Sequence, residues 1–522
     1  MSSSNANGAH ALTRALRAAG ITRIFTLSGN HIMPVFDAAF DDGIELIHVR
    51  HEAAAVHMAD AWARLTGEPG VAMVTGGPGH ANAVGALYTA AMAESPVVLL
   101  SGHAPRRELG MGAFQEMAQR DIAAPLTKAS WTNESADRLA SDAARALAIA
   151  TRGRPGPVHL SLPSDCLEMG TDPGMETGPG KATDPEVPDY DASAIAAMLR
   201  GATRPLVITG PRTLTRAGRV RIAALEAALG VPVVGMESPR GIADPSLGAF
   251  AQVLSQSDLV VLVGKRPDFT LRFGKPPAFA PGCRLVEVAV DRDAFAAIDA
   301  ITRAAQSQPP VKSQWLSEVR GAVAYRPAAW NHAASAVPGR MHPVQALRPL
   351  QAILDSHPDS VFVCDGGEVG QWAQACLAAP NRVINGVAGS IGAALPFAVA
   401  ARLAKPGVPV IAVMGDGTFG FHPAEIDTAV RYRLPFVAIV GNDARWNAEY
   451  QIQLREYGAG RTVATELLPA RYDKVAEGFG GHGELVTDPA QVLAAAERAI
   501  ASNLPSVLNV MIEGVAAPVV KR

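Results

Sequence analysis

Val410-Ile411-Ala412-Val413-Met414-Gly415-Asp416-Gly417 runs five apolar residues straight into a Gly-Asp-Gly turn. An apolar run of that length, bounded by glycine, reads as a strand buried on both faces. A helical pattern follows from about Pro423 to Arg431, and Leu434-Pro435 breaks it. A second apolar run, Phe436–Val440, then ends at Gly441-Asn442-Asp443. Asp416 and Asn442 thus fall at the carboxyl ends of two strands joined by a helical crossover. Such strands are usually neighbours or near-neighbours, and open α/β sheets bind ligands in the crevice beyond those ends.

Outward from this stretch, short β-branched runs alternate with longer alanine-rich segments of helical period along the whole chain. That alternation predicts the α/β class, with parallel doubly wound sheets. Expected strands in the first third are Ile24–Leu27, Ile44–Val49, Val71–Thr75, Pro96–Leu100 and Val158–Leu160, with helices over Ala53–Leu65 and Ala81–Met92. The middle third offers Pro205–Thr209, Val231–Gly235, Leu259–Val263 and Leu285–Val290. The last offers Val361–Cys364, Val410–Met414, Pro435–Val440 and Ser506–Val510. From about Cys166 to Tyr190 the text turns to Gly, Pro, Asp and Thr without a period and reads as a linker. A second loose stretch covers about Tyr325 to His342. Three α/β domains follow, over residues 1–168, 190–325 and 343–522.

A chain of 522 residues is too long for one ordinary core. Apolar residues make up 48% and charged residues 18%, so large buried cores are possible, whereas 5% aromatics argues against an aromatic-rich binding surface. The 46 basic and 49 acidic residues leave a net charge of -3, giving no electrostatic reason to bind nucleic acid or an anionic membrane. Cys166, Cys283, Cys364 and Cys376 form no C-x-x-C pair, so reduced thiols are expected and neither a zinc site nor a disulfide framework. Met1 to His10 lacks an apolar signal core, and no apolar run approaches a membrane span. The expectation is a cytoplasmic protein.

A lone Gly-Asp-Gly is most often a tight turn, and an asparagine after a strand is often a cap. A carboxylate and an amide oxygen on one rim also suit Mg²⁺, which takes hard oxygen donors and is usually held by one or two protein groups plus phosphates. Between Gly417 and Asn442 lie 24 residues. This spacing resembles the G-D-G…N motif of thiamine-diphosphate-dependent enzymes. The resemblance implies a metal held by Asp416, Asn442 and the main-chain carbonyl of Ala444, beside a diphosphate approached by Gly415, Gly417 and Thr418. Many members carry Asn-Asn where this chain has Asn442-Asp443, and Asp443 adds a negative charge there.

Arg50-His51-Glu52-Ala53-Ala54-Ala55 opens a helix after a strand. A glutamate in a first helical turn favours the helix dipole and alone would say no more. The run from Arg50 through Gly67, however, resembles the catalytic-glutamate segment of acetolactate synthases and benzaldehyde lyase. Glu52 would then be the acid that protonates the aminopyrimidine ring, a task suited to a carboxyl in an apolar pocket. Thr75-Gly76-Gly77-Pro78-Gly79-His80-Ala81-Asn82 resembles the T-x-G-P-G-x-x-N turn beside the pyrimidine half, which implies roles for Gly77, Pro78 and Asn82. Gly389-Ser390-Ile391-Gly392 resembles the stretch whose bulky apolar residue, here Ile391, sits under the bent cofactor.

The resemblance spans essentially the whole chain. It implies a pyrimidine-binding domain, a central domain and a diphosphate-binding domain. It also implies a homodimer at minimum, with a homotetramer expected, in which Glu52 of one chain meets Asp416 of another. Ser28-Gly29-Asn30-His31-Ile32 resembles a segment of benzaldehyde lyase and makes His31 a proton relay at a substrate hydroxyl. Met111-Gly112-Ala113-Phe114-Gln115-Glu116 resembles a segment shared by 2-hydroxyacyl-CoA lyases and acetolactate synthases and implies that Gln115 reaches cofactor or substrate. Trp446, Asn447 and Glu449 follow the metal loop where substrate walls form, and Trp446 counts among the cofactor contacts. His80, His103 and His422 are further candidates.

These resemblances favour a carbon–carbon lyase/carboligase acting on 2-hydroxy ketones and aldehydes. An acetolactate synthase or 2-oxoacid decarboxylase, taking a 2-oxoacid, is the alternative, and a 2-hydroxyacyl-CoA lyase another. FAD is doubtful, because Gly235–Phe250 lacks a G-x-H-G-rich segment. A silent scaffold homologue is disfavoured by Glu52, Asp416 and Asn442 occurring together. A NAD-binding protein is disfavoured by the absence of G-x-G-x-x-G after a strand.

Overall fold

The computed structural model describes residues 7–171 and 190–522. The chain divides into two compact units, residues 1–186 and 187–522.

The first unit is built on a six-stranded, wholly parallel sheet. Its strands are β1 (Arg23–Thr26), β2 (Glu45–His48), β3 (Gly70–Val74), β4 (Val97–His103), β5 (Ser130–Thr132) and β6 (Val158–Pro163), in the order β2-β1-β3-β4-β6-β5. Every residue of β3, β4 and β6 is buried, as expected where helices cover both faces of a parallel sheet. On one face Leu12 and Leu16 of the helix Gly8–Ala18 join Ile24, Met73, Leu100 and Leu160 in a single core. Burying each such side chain contributes about 1.5–3 kcal/mol. The helix Glu52–Thr66 starts where the His51 ring accepts the Ala53 N–H (3.1 Å) and stops at Gly67, whose φ is 81°. Its alanines pack it closely on the helix Pro78–Met92.

The second unit carries two parallel sheets. The smaller contains β7 (Pro205–Thr209), β8 (Val233–Gly235), β9 (Leu259–Val263) and β10 (Arg284–Val288), ordered β10-β9-β7-β8. The larger contains β11 (Val361–Cys364), β12 (Asn381–Ile384), β13 (Val410–Gly415), β14 (Val437–Asn442), β15 (His482–Val486) and β16 (Ser506–Met511), ordered β12-β11-β13-β14-β16-β15. This repeats the order of the first sheet strand for strand. The two strands expected to carry Asp416 and Asn442 are adjacent and parallel, with Gly415 opposite Gly441. Ion pairs Arg240–Glu368 (3.1 Å) and Arg382–Glu237 (2.7 Å) tie the smaller sheet's loops to the larger domain.

The structure departs from the sequence reading in places. Strands β5, β12 and β15 were not expected, and all three lie at sheet edges. The expected linker begins later than Cys166, which is buried in the short helix Ser164–Glu168. Residues 172–189 of that linker, and residues 1–6, lie outside the described residues. Among the described residues no helix is long and apolar enough to cross a membrane, and the four cysteines are free.

Candidate functional site

In the first unit the expected residues collect at the carboxyl ends of β1 to β4. Glu52 is buried at the start of its helix, because a strand-to-helix turn after β2 drops it inward. Its Oε2 accepts a hydrogen bond from Asn82 Nδ2 at 3.0 Å. Thr75 sits between Glu52 and His31. A Cβ built on Gly79 would lie 2.8 Å from Thr75 Cγ2 and 3.4 Å from Glu52 Oε1, and His31 Nδ1 lies 3.2 Å from Thr75 Oγ1. His31 is buried, and burial together with the neighbouring His103 lowers its pKa. These effects outweigh a backbone hydrogen bond at Phe114, which raises it, and favour the neutral imidazole.

Gly77 has φ 57°, and a Cβ there would lie 2.6 Å from the carbonyl oxygen of Gln115. Only glycine lets this turn meet the Gln115 loop. Pro78 follows as the first residue of the helix Pro78–Met92, where its missing N–H costs nothing. Gln115 itself has φ 57°, a region that side chains other than glycine rarely adopt. It lies between the exposed Phe114 and Glu116, whose carboxylate accepts the N–H groups of Gly110, Gly112 and Ala113. Gln119 was not foreseen. It is buried, its Oε1 accepts the Gly77 N–H (2.8 Å), and its Nε2 donates to Gly102 O and Ser161 Oγ. Nothing in its spacing marks it, since a lone Gln after a loop carries no pattern.

The other candidate histidines are each tied to a neighbouring group. His80 Nδ1 lies 2.8 Å from Ser101 Oγ, its ring is 4.6 Å from that of His159, and both rings are fully buried. Burial is the main cause that brings the His80 pKa down to about 4 and drives that of His159 well below its usual value. His103 Nε2 lies 3.0 Å from Met117 O. In the second unit His422 Nδ1 lies 2.8 Å from Gly392 O.

The second unit holds a cavity of about 200 Å³ at the carboxyl ends of β11, β13 and β14. Among its walls are Gly389, Ile391, Gly415, Asp416, Gly417, Thr418 and Trp446. The glycine at 417 is required by contact, because a Cβ there would lie 2.8 Å from the Trp446 ring. Thr418 Oγ1 donates to Gly415 O (3.1 Å), turning the chain into the short helix Asp416–Phe419. Half-buried Ile391 and Ser390 belong to a loop pinned by Asp365, a residue the sequence reading passed over. The Asp365 carboxylate accepts N–H groups from Gly366 (2.7 Å), Gly392 (3.0 Å) and Ala394 (3.1 Å). Burial raises its pKa to about 6 against the pull of those amides. Asn385 Nδ2 adds a bond to Ser390 O at 3.0 Å.

Asp416 is buried. Its Oδ1 accepts the Gly417 N–H at 3.0 Å, while Oδ2 has no hydrogen-bond partner among the described residues. Burial raises its pKa to about 6. Asp443 lines the same cavity and is 8% exposed, with its Oδ1 likewise unpartnered. Burial and then the Asp416 charge raise its pKa to about 7. Two orphaned carboxylate oxygens in one cavity fit a divalent cation. Among the described residues no group of three or more His, Cys, Asp or Glu could hold a metal alone, so phosphate oxygens would have to complete the shell.

Asn442 and Ala444, the other two expected ligands, make hydrogen bonds within the protein. Asn442 Nδ2 donates to Asn509 Oδ1 (3.0 Å) and Ala470 O (3.1 Å), and its Oδ1 accepts the Ala444 N–H (3.2 Å). The Ala444 carbonyl accepts the Leu467 N–H at 2.7 Å. Neither residue lines the cavity. Ala444, with φ 59°, instead forms the turn that brings Asp443 and Arg445 to it.

Glu368 forms another wall and bridges two segments. Its Oε2 accepts both Arg240 Nη2 (3.1 Å) and the Ala517 N–H (2.8 Å). Asn447, also a wall residue, donates to Val515 O, and Trp372 Nε1 donates to Ala516 O, each at 3.0 Å. Glu449 stands exposed at the rim.

Comparison with known proteins identifies the family. Residues 6–123 match the N-terminal TPP binding domain of thiamine pyrophosphate enzymes, and residues 365–510 match the C-terminal TPP binding domain. The acetolactate synthase large subunit IlvG of Mycobacterium tuberculosis is 33% identical over 96% of this chain and 94% of its own length. The 2-hydroxyacyl-CoA lyase 2 of Homo sapiens is 31% identical over 97% of this chain and 90% of its own. The acetolactate synthase large subunit of Parasynechococcus marenigrum is 30% identical over 97% and 87%. With matched domains holding the Glu52 cluster and the Asp416 cavity, the chain belongs to the family of thiamine pyrophosphate enzymes.

Proposed function

We propose that the protein is a Mg²⁺- and thiamine-diphosphate-dependent lyase/carboligase that breaks or forms the bond beside the carbonyl of 2-hydroxy ketones and aldehydes. The observation that carries this reading is the buried His31, whose Nδ1 meets Thr75 Oγ1 beside the Gly79 turn that also lies against Glu52. When bound, the cofactor supplies an electron sink next to the carbonyl carbon. Glu52, oriented by Asn82, donates a proton to the pyrimidine ring. His31 accepts the proton of a substrate hydroxyl, a step a 2-oxoacid donor does not need. Ile391 supports the cofactor's bend, and Asp416 holds the cation. The Glu52 cluster of one copy is completed by the Asp416 cavity of a second copy. Exposed Met111 and Phe114 beside Gln115 support an assembly of at least two chains.

A second reading, acetolactate formation from a 2-oxoacid, is favoured by the 33% identity to an acetolactate synthase large subunit over 96% of the chain. A panel of aldehydes, 2-hydroxy ketones and 2-oxoacids with thiamine diphosphate and Mg²⁺ separates the two, following CO₂ release and hydroxyketone turnover. Hydroxyketone cleavage without CO₂ supports the lyase. CO₂ from pyruvate with acetolactate as product overturns it.

A further inference from the structure

We propose that Gln119 is a positioning residue for the proton transfers at Glu52 and His31, its amide clamping the Gly76-Gly77 turn to the ends of β4 and β6 and so fixing where those two groups stand relative to each other. This rests on the reading of the Glu52 cluster as part of a thiamine diphosphate site.

Gln119 opens the short helix Gln119–Ala123 and is 1% exposed. A glutamine amide offers one oxygen acceptor and two N–H donors, and here all of them are engaged. Oε1 accepts the Gly77 N–H at 2.8 Å, while Nε2 donates to Gly102 O at 3.1 Å and to Ser161 Oγ at 2.7 Å. Three segments far apart in the chain thus meet on one side chain. The turn reaches it only because no side chain intervenes. A Cβ on Gly76 would lie 2.7 Å from Gly102 O and 3.1 Å from Gln119 Oε1.

The clamp leads to both proton-moving groups through the backbone. On one side, the clamped turn lies between Thr75, whose Oγ1 meets His31 Nδ1, and Gly79, which lies against Glu52 Oε1. On the other side, Gly102 packs directly on His31, because a Cβ there would lie 2.6 Å from His31 Cβ. The three hydrogen bonds of the Gln119 amide go to neither Glu52 nor His31. For filling space an apolar side chain of the same shape serves as well as a buried amide. What the directional bonds add is a fixed geometry for the groups they support.

Gln119→Glu tests this. As a carboxylate the new side chain can accept from Gly77 but faces the Gly102 carbonyl with no proton to donate. Once protonated it regains one donor beside its acceptor. Burial raises the pKa of such a carboxyl, which brings the protonated form within reach above the usual carboxylate range. The full-length protein is loaded with thiamine diphosphate and Mg²⁺, and deuterium exchange of the cofactor's C2 proton is followed by NMR from about pH 8 down to about pH 5, well below each variant's melting temperature. Near the upper pH, Gln119→Glu and Gln119→Leu are expected to bind the cofactor yet exchange roughly ten- to a hundredfold more slowly than wild type. As the pH falls, the ratio of the Glu variant's rate to the wild-type rate should climb back toward one, while that of the Leu variant stays flat. Wild-type exchange rates in the folded variants, or a ratio for Gln119→Glu that ignores pH, overturn the proposal.

The clamp is read apart from the cofactor by amide hydrogen exchange of Gly77 in the cofactor-free protein, expected to be at least about tenfold faster in Gln119→Leu than in wild type. Equal exchange there overturns the clamp. Faster Gly77 exchange in a protein that binds no thiamine diphosphate overturns the reading of the site and leaves the clamp standing. Faster Gly77 exchange with bound cofactor and an unaltered C2 rate overturns the positioning role and leaves the reading of the site standing.

Discussion

Glu52 accepts a hydrogen bond from Asn82, and its other carboxylate oxygen lies against Gly79. Its proposed work needs a proton, which the amide of glutamine cannot deliver in the same way. Glu52→Gln is expected to bind thiamine diphosphate normally yet lose exchange of the C2 proton by about 10²–10⁴-fold. Hydrogen–deuterium exchange of the bound cofactor, read by NMR, checks this, and unchanged exchange would remove Glu52 from its role. At this scale the sequence pointed to Glu52, Asn82 and Asp416, and the structure joins the first two by a hydrogen bond and sets the third in the cavity wall. It was not legible to the single residue. The 24-residue interval after Gly417 led to Asn442, but its partners Asn509 and Ala470 come from distant segments that spacing does not reveal. Gln119 and Asp365 act through contacts with distant backbone and Arg240 through the distant Glu368 carboxylate, so no local pattern announces them.

Among elements, the central strands were plain because parallel strands covered on both faces are continuous apolar text. The three missed strands are Ser130–Thr132, Asn381–Ile384 and His482–Val486, all edges of their sheets. An edge strand is paired on one side only, and its polar, mixed composition resembles a loop. The loop that carries Ile391 is the element most dependent on a single group. Three backbone amides converge on the Asp365 carboxylate, and bonds to a charged acceptor are worth about 1.5–3 kcal/mol each before non-additivity. Asp365→Ala is expected to cost roughly 3–5 kcal/mol and to expose residues 386–392 to protease. Thermal melting and limited proteolysis test this, with Asp365→Asn giving a smaller loss.

For the molecule as a whole, two features set its response to solution conditions. The first is the buried His80–His159 pair. An unfolded imidazole titrates near 6.5, whereas folded His80 titrates at about 4 and His159 well below its usual value. The folded state therefore binds fewer protons. Stability from these rings is complete above pH about 6.5 and is lost as the pH falls toward 4, by roughly 3 kcal/mol for His80. Urea midpoints between pH 7 and pH 4.5 should fall in wild type and flatten in His80→Asn. The second is the exposed pair Met111 and Phe114, 78% and 71% accessible beside Gln115. Apolar surface of this kind is expected to be covered by another copy. Phe114→Asp should lower the mass measured by light scattering and lower activity with it, and an unchanged mass would place the subunit contact elsewhere.

The carbonyls of Val515 and Ala516 and the Ala517 N–H are gripped by Asn447, Trp372 and Glu368, two of which wall the cavity around Asp416. Anything fused beyond Arg522 is thereby leashed to that cavity. A purification handle placed at that end would tug on Glu368 and, through it, on Arg240, and would report altered kinetics that belong to the handle.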